Sequence, residues 1–360
     1  MAQPFAARRR AIRGELRRRH LDCLLVTHAP NWYYLTGFTG EAGVLAVTPD
    51  GSTLITDGRF TVQARQQCPG VKVELQKGAL FPALGEWLRQ HRIRRAGFDP
   101  GQWTVVQLKA AKKAAGMKCR TEEAGGIVER LRMKKDPREL SLMRKAAILA
   151  GEVMEKAIQV LRPGVRESEV AAEIEYHMKR LGASGPSFET IVASGKRAAL
   201  PHARPTSKPL RKNELVVLDL GAILGHYCSD MTRTVYLGRA PRRIREWYHA
   251  VNEARAAAVA MVSPGVTGGE VDAAARDVLK KNGLDQYFVH STGHGVGLEV
   301  HEDPRVARGQ AIRLEAGNVI TIEPGIYVED VGGIRIEDDV AVRFSGSELL
   351  TRVTRDFIEL

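Results

Sequence analysis

Two carboxylates stand within the segment VVLDLGAILGHYCSDMTRTV (residues 216–235), whose other residues are typical of a β-hairpin. Apolar and β-branched side chains fill both arms around Asp219 and Asp230, and Leu224-Gly225 is the predicted turn. This turn would place the two aspartates directly opposite each other, with Cβ atoms about 5 Å apart. Like charges at that spacing destabilise a sheet, so the pair indicates a function such as the binding of shared cations.

The segment VITIEPGIYVEDVGGIRIEDDVAV (319–342) forms a second pair of β-rich arms, which carry Glu323 and Glu337. It belongs to a longer repeat in the second part of the chain. The motifs PGVRESEVAAE (163–173) and PGVTGGEVDAA (264–274) share Pro-Gly-Val, Glu-Val and Ala, and a histidine and an acidic hairpin follow each of them. This parallel order predicts a duplication with a pseudo-two-fold axis that brings the two hairpins together.

Such a duplication would collect four carboxylates in one largely apolar place. Carboxylates cannot stay ionised and unpaired away from water, so they must be protonated or bind cations, and two bridged divalent metal ions meet this need. A neutral imidazole would complete the site, and HSTGHGVGLEVHE (290–302) contains His290, His294 and His301. Glycines beside His294 permit close approach of a ligand. This oxygen-rich donor set favours Mn²⁺, with Co²⁺ or Zn²⁺ as alternatives.

These motifs resemble those of the pita-bread metallopeptidases, the family of methionine aminopeptidase, prolidase and aminopeptidase P. The sequences LDLGA, SDMTRT, GHGVGLEVHE, TIEPGIY and GIRIEDD match the family in order and spacing over residues 138–360. The resemblance implies an α/β (α+β) fold whose catalytic domain has pseudo-two-fold symmetry. It also implies two metal ions held by five ligands, which are Asp219, Asp230, His294, Glu323 and Glu337.

The resemblance further implies catalytic roles for His202, which lies in AALPHARPT, and for His301 and Glu323. The two histidines are expected to act on the substrate carbonyl, and Glu323 is expected to transfer a proton as well as bind metal. His290 is expected to bind substrate, with support of the packing as its alternative role.

Two arginines are predicted to contribute to the same site. Arg305, in HEDPR (301–305), could reach the carboxylate of a dipeptide, or it could be an ordinary surface residue. Arg335 lies two residues before Glu337 and therefore on the same strand face. We expect Arg335 to orient the carboxylates or to take part in substrate binding. The alternative is that Arg335 is an ordinary surface cation.

The amino-terminal part resembles the smaller domain of prolidases and creatinase, through HAPNWYYLTGFTG (28–40) and LITDGRF (54–60). It reads as an α/β domain over residues 1–128, with a buried strand at 22–28 and a hairpin around Pro49-Asp50-Gly51. A charged segment with a proline predicts a linker at 129–137. A long helix is expected after Pro137, at the start of a catalytic domain over 138–360.

The two-domain organisation implies an enzyme that cleaves beside proline, because simple methionine aminopeptidases lack the first domain. We expect hydrolysis of Xaa-Pro bonds at a free amino terminus, with an Xaa-Pro dipeptidase favoured over an aminopeptidase P that acts on longer peptides. Creatinase works without metal, and the five acidic and histidine ligands present here argue against its reaction. A non-catalytic binding protein on the same fold is a further alternative, although such relatives lose metal ligands.

The composition places further limits on partners and location. With 360 residues, 44% of them hydrophobic and 27% charged, the chain has the composition of a globular protein. The net charge of +12 suggests nucleic acid as a partner. However, the basic residues are scattered and form no known nucleic-acid motif, so no such partner is expected. No apolar run approaches a membrane span, so no membrane association is expected. The four cysteines form no CxxC pair, which predicts a cytoplasmic location, and the family implies a homodimer.

Overall fold

The computed structural model describes residues 4–360, which divide into two compact units between Arg132 and Met133. This division falls inside the segment predicted as a linker, residues 129–137. Part of that segment is helical, because the last helix of the first unit runs over Ile127–Met133. No helix among residues 4–360 is both long and apolar enough to span a membrane.

The first unit is built on a six-stranded mixed sheet with helices beside it. Its strands are β1 (Cys23–Val26), β2 (Val44–Val47), β3 (Ser52–Thr56), β4 (Lys72–Leu75), β5 (Arg95–Phe98) and β6 (Arg120–Glu123), in the order β4-β3-β2-β1-β5-β6. Its helices are α1 (Phe5–Arg19), α2 (Ala29–Thr36), α3 (Thr61–Gln67), α4 (Leu80–Gln90), α5 (Val105–Ala115) and α6 (Ile127–Met133). The buried strand and the first hairpin predicted from the sequence are confirmed as β1 and as β2–β3.

The second unit contains four long helices, α7 (Pro137–Val160), α8 (Glu167–Arg180), α9 (Arg242–Met261) and α10 (Gly268–Lys281). Helix α7 begins at Pro137, as predicted. The Asp136 side chain caps it by accepting hydrogen bonds from the backbone N–H groups of Arg138 and Glu139. Proline is favourable at this first helical position because its missing N–H would have no partner inside the helix.

The strands of the second unit form two larger sheets and two small ones. They are β7 (Gly185–Pro186), β8 (Ile191–Ser194), β9 (Glu214–Leu220), β10 (Ala222–Leu224), β11 (Tyr227–Cys228), β12 (Met231–Leu237), β13 (Gly293–Gly295), β14 (Glu302–Val306), β15 (Val319–Ile322), β16 (Gly325–Val328), β17 (Gly332–Arg335), β18 (Asp338–Val342), β19 (Ser347–Leu349) and β20 (Ile358–Glu359). The larger sheets have the orders β20-β12-β9-β8 and β14-β13-β15-β18-β19. The small ones are β11-β10-β7 and β16-β17.

The order of elements in the second unit repeats, in agreement with the predicted duplication. Helices α7 and α8 precede the strands β8, β9 and β12, and helices α9 and α10 precede the corresponding strands β13, β15 and β18. The hydrogen bonds of the Pro-Gly-Val motifs repeat as well. The N–H of Gly164 donates to the carbonyl oxygen of Leu210 at 2.9 Å, and that of Gly265 donates to Leu314 at 2.8 Å.

The turn of the first acidic hairpin differs from the prediction. Leu224 pairs with Tyr227, so the turn residues are Gly225 and His226 rather than Leu224-Gly225. Both turn residues have positive φ, 56° and 72°. Two-residue hairpins favour turns in which both central residues adopt this left-handed conformation. Glycine adopts it freely, whereas a leucine at the first turn position would be strained, which explains the shift of one residue.

The shifted turn also changes the pairing of the two aspartates. Asp219 lies opposite Thr232, so the prediction that it directly faces Asp230 is wrong. Asp230 precedes Thr232 by two residues, and strand side chains alternate between faces. The two aspartates are therefore diagonal neighbours on one side of the hairpin.

Direct opposition of two acids occurs instead in the second hairpin. Ile322 pairs with Asp338 in β15–β18, and Gly325 pairs with Arg335 in β16–β17. The same register on both sides places Glu323 opposite Glu337, between the two ladders.

The two hairpins are joined to each other by backbone and side-chain hydrogen bonds. The N–H of Glu337 donates to the carbonyl oxygen of Thr232 at 3.1 Å. Arg233, which is 2% exposed, donates to the carbonyl oxygens of Thr232 at 2.8 Å and Glu337 at 2.6 Å. Its guanidinium also binds the buried carboxylate of Asp338 at 2.9 Å and two carbonyl oxygens near the carboxyl terminus. Arg233 thus fastens the first hairpin to the second.

We predict that Arg233→Met lowers the free energy of unfolding of the full chain by about 3–5 kcal/mol, because several buried acceptors lose their donor. Urea titration followed by circular dichroism measures this change. Arg242→Met is the matched control, since the Arg242 side chain is 92% exposed and its loss should leave the midpoint unchanged. An unchanged midpoint for Arg233→Met would contradict the proposed fastening role.

Candidate metal centre

The five predicted metal ligands are carried by the strands of both acidic hairpins and by β13. Asp219 lies in β9, His294 lies in β13, and Asp230, Glu323 and Glu337 lie next to the ends of β12, β15 and β18. The apolar sides of these strands pack in two buried clusters of the second unit, which contain Val216, Leu218, Ile320 and Ile322 among other residues. Strand alternation then turns the acids away from the apolar core, on the side where the hairpins meet.

Three of these residues form a compact cluster. One ligand atom each of Asp230, His294 and Glu337 lies within 4.8 Å of the others. The Nε2 atom of His294 is 3.7 Å from Asp230 Oδ2 and 3.4 Å from Glu323 Oε1. The structure therefore brings together four of the five predicted ligands, as three carboxylates around one imidazole.

The fifth predicted ligand, Asp219, lies beside the same group. Its Oδ2 atom accepts a hydrogen bond from Arg335 Nη2 at 2.6 Å. Its Oδ1 atom is buried and has no hydrogen-bond partner among residues 4–360. Because a buried carboxylate oxygen without a partner is costly, this atom indicates a site for a cation.

Burial and mutual repulsion dominate the electrostatics of the cluster. The pKa values of Asp230 and Glu337 are raised well above their ordinary range, first by burial and then by the neighbouring carboxylates, Asp219 among them. Burial likewise raises the pKa of Glu323 to about 7. The cluster thus favours either protons or bound cations, and the hard oxygen donors fit divalent metal ions.

The imidazole of His294 is suited to the same role. Burial lowers its pKa, which keeps the ring neutral at physiological pH. Its Nδ1 lies 3.0 Å from the carbonyl oxygen of Gly295, so Nδ1 carries the proton and donates it in a hydrogen bond. Nε2 then presents its lone pair to the carboxylates, as a metal ligand must.

Arg335 is buried and bound to the protein through each of its donor groups. Besides Asp219, it contacts the hydroxyl of Tyr327 at 2.6 Å and the carbonyl oxygen of Pro201 at 3.2 Å. Its Nε donates to the Thr232 hydroxyl at 3.0 Å, and that hydroxyl donates to Glu337 at 2.7 Å. These contacts favour a role in orienting the carboxylates over direct contact with substrate.

Tyr327 and Thr232 have functional contacts that the sequence analysis missed. The Tyr327 hydroxyl accepts from Arg335 and donates to Nε2 of His290 at 2.9 Å, which links His290 to the metal ligands. The sequence does contain a signal for Tyr327. In TIEPGIY, strand alternation places residues 323, 325 and 327 on the same face. Residue 325 must be glycine, because a Cβ there would lie 2.7 Å from the Tyr327 hydroxyl oxygen.

The remaining predicted site residues lie beside the cluster, and three of them are exposed. His202, His301 and Arg305 are exposed, whereas His290 is half-buried. The ring of His301 lies 4.3 Å from that of His294, centroid to centroid. Burial lowers the pKa of His301, and the neighbouring basic side chains of His294, His202 and Arg305 lower it further. These side chains therefore share one electrostatic environment.

His290 is fixed more firmly than the exposed histidines. Its Nδ1 lies 2.8 Å from the Ser291 carbonyl oxygen, and its Nε2 accepts from Tyr327. Burial, with a contribution from Arg335, lowers the pKa of His290 to about 4, so the ring is neutral.

A buried ion pair beside His301 was also missed by the sequence analysis. Lys135, from the predicted linker, contacts the Glu302 carboxylate at 3.2 Å, and both side chains are almost fully buried. Glu302 also accepts from the N–H of Glu299 at 3.1 Å. This pair anchors Glu302, which is the first residue of β14 and directly follows His301. No local pattern in the sequence connects residues so far apart.

Family models match both units of the chain. The profile of metallopeptidase family M24 matches residues 141–343, and that of the creatinase/prolidase N-terminal domain matches residues 8–134. The Xaa-Pro dipeptidase of Pyrococcus horikoshii is 36% identical over 94% of this chain and 95% of its own length.

Solved structures are similar over nearly the whole chain. The Xaa-Pro dipeptidase from Bacillus anthracis superposes with a TM-score of 0.95 at 36% identity, covering 99% of each chain. The X-Pro aminopeptidase from Thermotoga maritima superposes with a TM-score of 0.88 at 33% identity, covering 96% of this chain and all of its own.

We predict that Glu337→Gln lowers the affinity for Mn²⁺ by more than about 100-fold and abolishes metal-dependent activity, because a neutral amide replaces a charged ligand. Calorimetric titration of the metal-free protein measures the affinity. Glu329→Gln, at an exposed position of the same hairpin, is the control and should bind metal normally. Undiminished metal stoichiometry and affinity in Glu337→Gln would refute the ligand assignment.

Metal binding should also change the pH dependence of stability. In chelator-treated protein the raised pKa values mean that the folded state holds protons which the unfolded state releases, so stability falls from about pH 4 to pH 7. Mn²⁺ binds the deprotonated carboxylates, so its stabilising effect grows as pH rises.

The difference in Tm between Mn²⁺-loaded and chelator-treated protein should therefore be small at pH 5 and larger at pH 7.5, as measured by differential scanning calorimetry. A difference that stays constant across this range would mean that these carboxylates do not bind the metal.

Proposed function

The chain belongs to metallopeptidase family M24, and we propose that it hydrolyses the bond between a free amino-terminal residue and proline, with Xaa-Pro dipeptides as preferred substrates. Its second unit has the pita-bread fold predicted for such enzymes. The observation that carries the proposal is the convergence of three predicted carboxylate ligands around His294, with Asp219 beside them. The relatives named Xaa-Pro dipeptidase align with this chain almost end to end.

We propose that the five ligands hold two divalent ions and that these are manganese. Divalent ions held by these residues would supply polarisation of the scissile carbonyl and would lower the pKa of water to near neutrality. The donor set supports this choice, since four carboxylates with one imidazole prefer a hard cation.

The side chains around the cluster supply the remaining steps. We assign to Glu323 the transfer of a proton from the attacking water to the proline nitrogen, which must be protonated before the amine can leave. We assign to His202 and His301 hydrogen bonds to the carbonyl oxygen as its negative charge develops. Both are exposed beside buried ligands, where an incoming peptide can reach them. His290 would contact the substrate through the part of its side chain that is still exposed.

Arg305 supports the preference for dipeptides. It is exposed on β14, and its charge contributes, after burial, to the lowered pKa values of both His294 and His301. In a dipeptide the carboxylate follows the proline directly, and a guanidinium can pair with it through two parallel hydrogen bonds.

A second candidate is an aminopeptidase P activity on longer peptides. The similarity to the X-Pro aminopeptidase from Thermotoga maritima favours it. In that case Arg305 would not meet a terminal carboxylate, and the chain beyond the proline would extend past it.

We further propose a cytoplasmic homodimer. The location is supported by the four cysteines, Cys23, Cys68, Cys119 and Cys228, which are all free thiols. The dimer is supported by the resemblance to dimeric enzymes of the family.

The substrate proposal is tested by comparing Ala-Pro, Ala-Pro amide and Ala-Pro-Ala with Mn²⁺-loaded protein. We expect the highest kcat/KM for Ala-Pro. Arg305→Gln should lower that value by about 10–100-fold, the loss of one charged hydrogen-bonded contact, with little change for the amide. Arg308→Gln, at another exposed position, is the control.

A strong preference for Ala-Pro-Ala would establish the aminopeptidase P alternative. Absence of hydrolysis for all three peptides, combined with salt-sensitive binding of nucleic acid, would establish a binding protein and overturn the enzymatic proposal.

A further inference from the structure

One carboxylate in the duplicated motifs has no part in metal binding but is completely buried. Glu167, in PGVRESEV, is the first residue of helix α8 and is 0% exposed. A carboxylate removed from water needs several hydrogen-bond donors to remain charged. Its donors therefore show what the residue holds in place.

Among residues 4–360, the side-chain carboxylate of Glu167 accepts hydrogen bonds from a single loop, residues 194–206, which we term the His202 loop. At its start, Ser194 donates to Oε1 through N–H at 2.9 Å and through the hydroxyl at 2.8 Å. At its end, Thr206 donates to Oε2 through N–H at 3.1 Å and through the hydroxyl at 2.7 Å. Arg197 adds a contact at 3.1 Å. One buried carboxylate thus closes the loop at both ends.

The His202 loop is connected to the candidate metal centre by strand β8 and by Arg335. It leaves strand β8, in which Ile191 pairs with Asp219, and it carries the exposed His202 between its fixed ends. Arg335 holds the middle of the loop through the carbonyl oxygen of Pro201 at 3.2 Å. The loop is therefore tied to a metal ligand through Arg335 and to helix α8 through Glu167.

The second half of the duplication has a comparable contact made by different residues. Asp272 on α10 is 1% exposed and accepts from the Thr292 hydroxyl at 2.8 Å. It also pairs with Arg276 at 2.7 Å, and Arg276 donates to the carbonyl oxygen of His290 at 2.6 Å. In both halves a buried acid on the second helix holds the segment that carries a site histidine.

We propose that Glu167 is a positioning residue, which keeps His202 at the distance from the metal centre that the reaction requires. The proposal rests on the proposed function, because His202 is assigned there to the substrate carbonyl. The role is distinct from metal binding, so loss of Glu167 should leave the metal ligands in place.

The test replaces Glu167 with glutamine in the full-length, Mn²⁺-loaded protein. Glutamine has the same shape but puts an NH₂ group where a second acceptor is needed, so several loop contacts are lost. We expect kcat for Ala-Pro to fall by about 10–100-fold, the effect of a small misplacement, with KM and metal content nearly unchanged. Glu175→Gln, an exposed position on the same helix, is the matched control.

A double-mutant cycle separates positioning from general damage. Glu167→Gln should have little further effect in a His202→Ala background, whereas its effect should persist in an Asp272→Asn background. Hydrogen exchange gives a readout independent of activity, with faster exchange in residues 195–206 of Glu167→Gln and unchanged exchange around residue 294. If Glu167→Gln does not fold, Thr206→Val removes one donor conservatively and should show the same changes at smaller size.

If Glu167→Gln folds and is active with unchanged kcat and unchanged hydrogen exchange, the proposal is overturned. Loss of metal from Glu167→Gln would also overturn it. So would additive effects of Glu167→Gln and His202→Ala on kcat. If the wild type hydrolyses no Xaa-Pro peptide, the proposed function fails, yet the exchange experiment still decides whether Glu167 holds the loop.

Discussion

The second unit is organised around the burial of four carboxylates about one imidazole. Burial and repulsion together raise the pKa values of Asp230, Glu323 and Glu337, so the folded chain holds these groups in an arrangement that is unfavourable without protons or cations. The apolar cores of both halves must offset this cost, and strands β9, β12, β15 and β18, which carry or adjoin the carboxylates, are accordingly almost entirely buried. The proposed metal binding would therefore be coupled to folding through the same side chains.

The two hairpins of the duplication place their acids differently. In the second hairpin Glu323 and Glu337 face each other directly. In the first, Thr232 occupies the place opposite Asp219, and its hydroxyl binds Glu337 of the other hairpin. Because this neutral hydroxyl stands opposite Asp219, the two acids of the first hairpin do not face each other directly. Its hydrogen bond to Glu337 also ties the two hairpins together. The pseudo-symmetry of the backbone is thus combined with an asymmetric set of side-chain contacts.

Buried charged side chains hold the segments that carry the exposed residues proposed to contact a peptide. Glu167 closes the loop that carries His202, Asp272 acts through Arg276 on His290, and the Lys135–Glu302 pair anchors the strand after His301. Buried contacts of this kind need a unique geometry, since a displaced partner leaves an unpaired charge. This lets the site remain open to solvent while its histidines stay in place.

The sequence alone predicted the acids and the histidine that the structure brings together. It also determined the duplication, the start of helix α7 and the α/β class, because these depend on motifs and periodicities within short segments. It did not determine the register of the first hairpin, where positive φ at Gly225 and His226 moved the turn by one residue. Nor did it identify Tyr327 or Glu167 as holding site residues in place. Their partners lie in other elements. The periodicity along a strand or helix predicts only which face a side chain occupies. Only the tertiary structure decides which distant donor meets each buried acceptor, because that choice depends on how the elements pack.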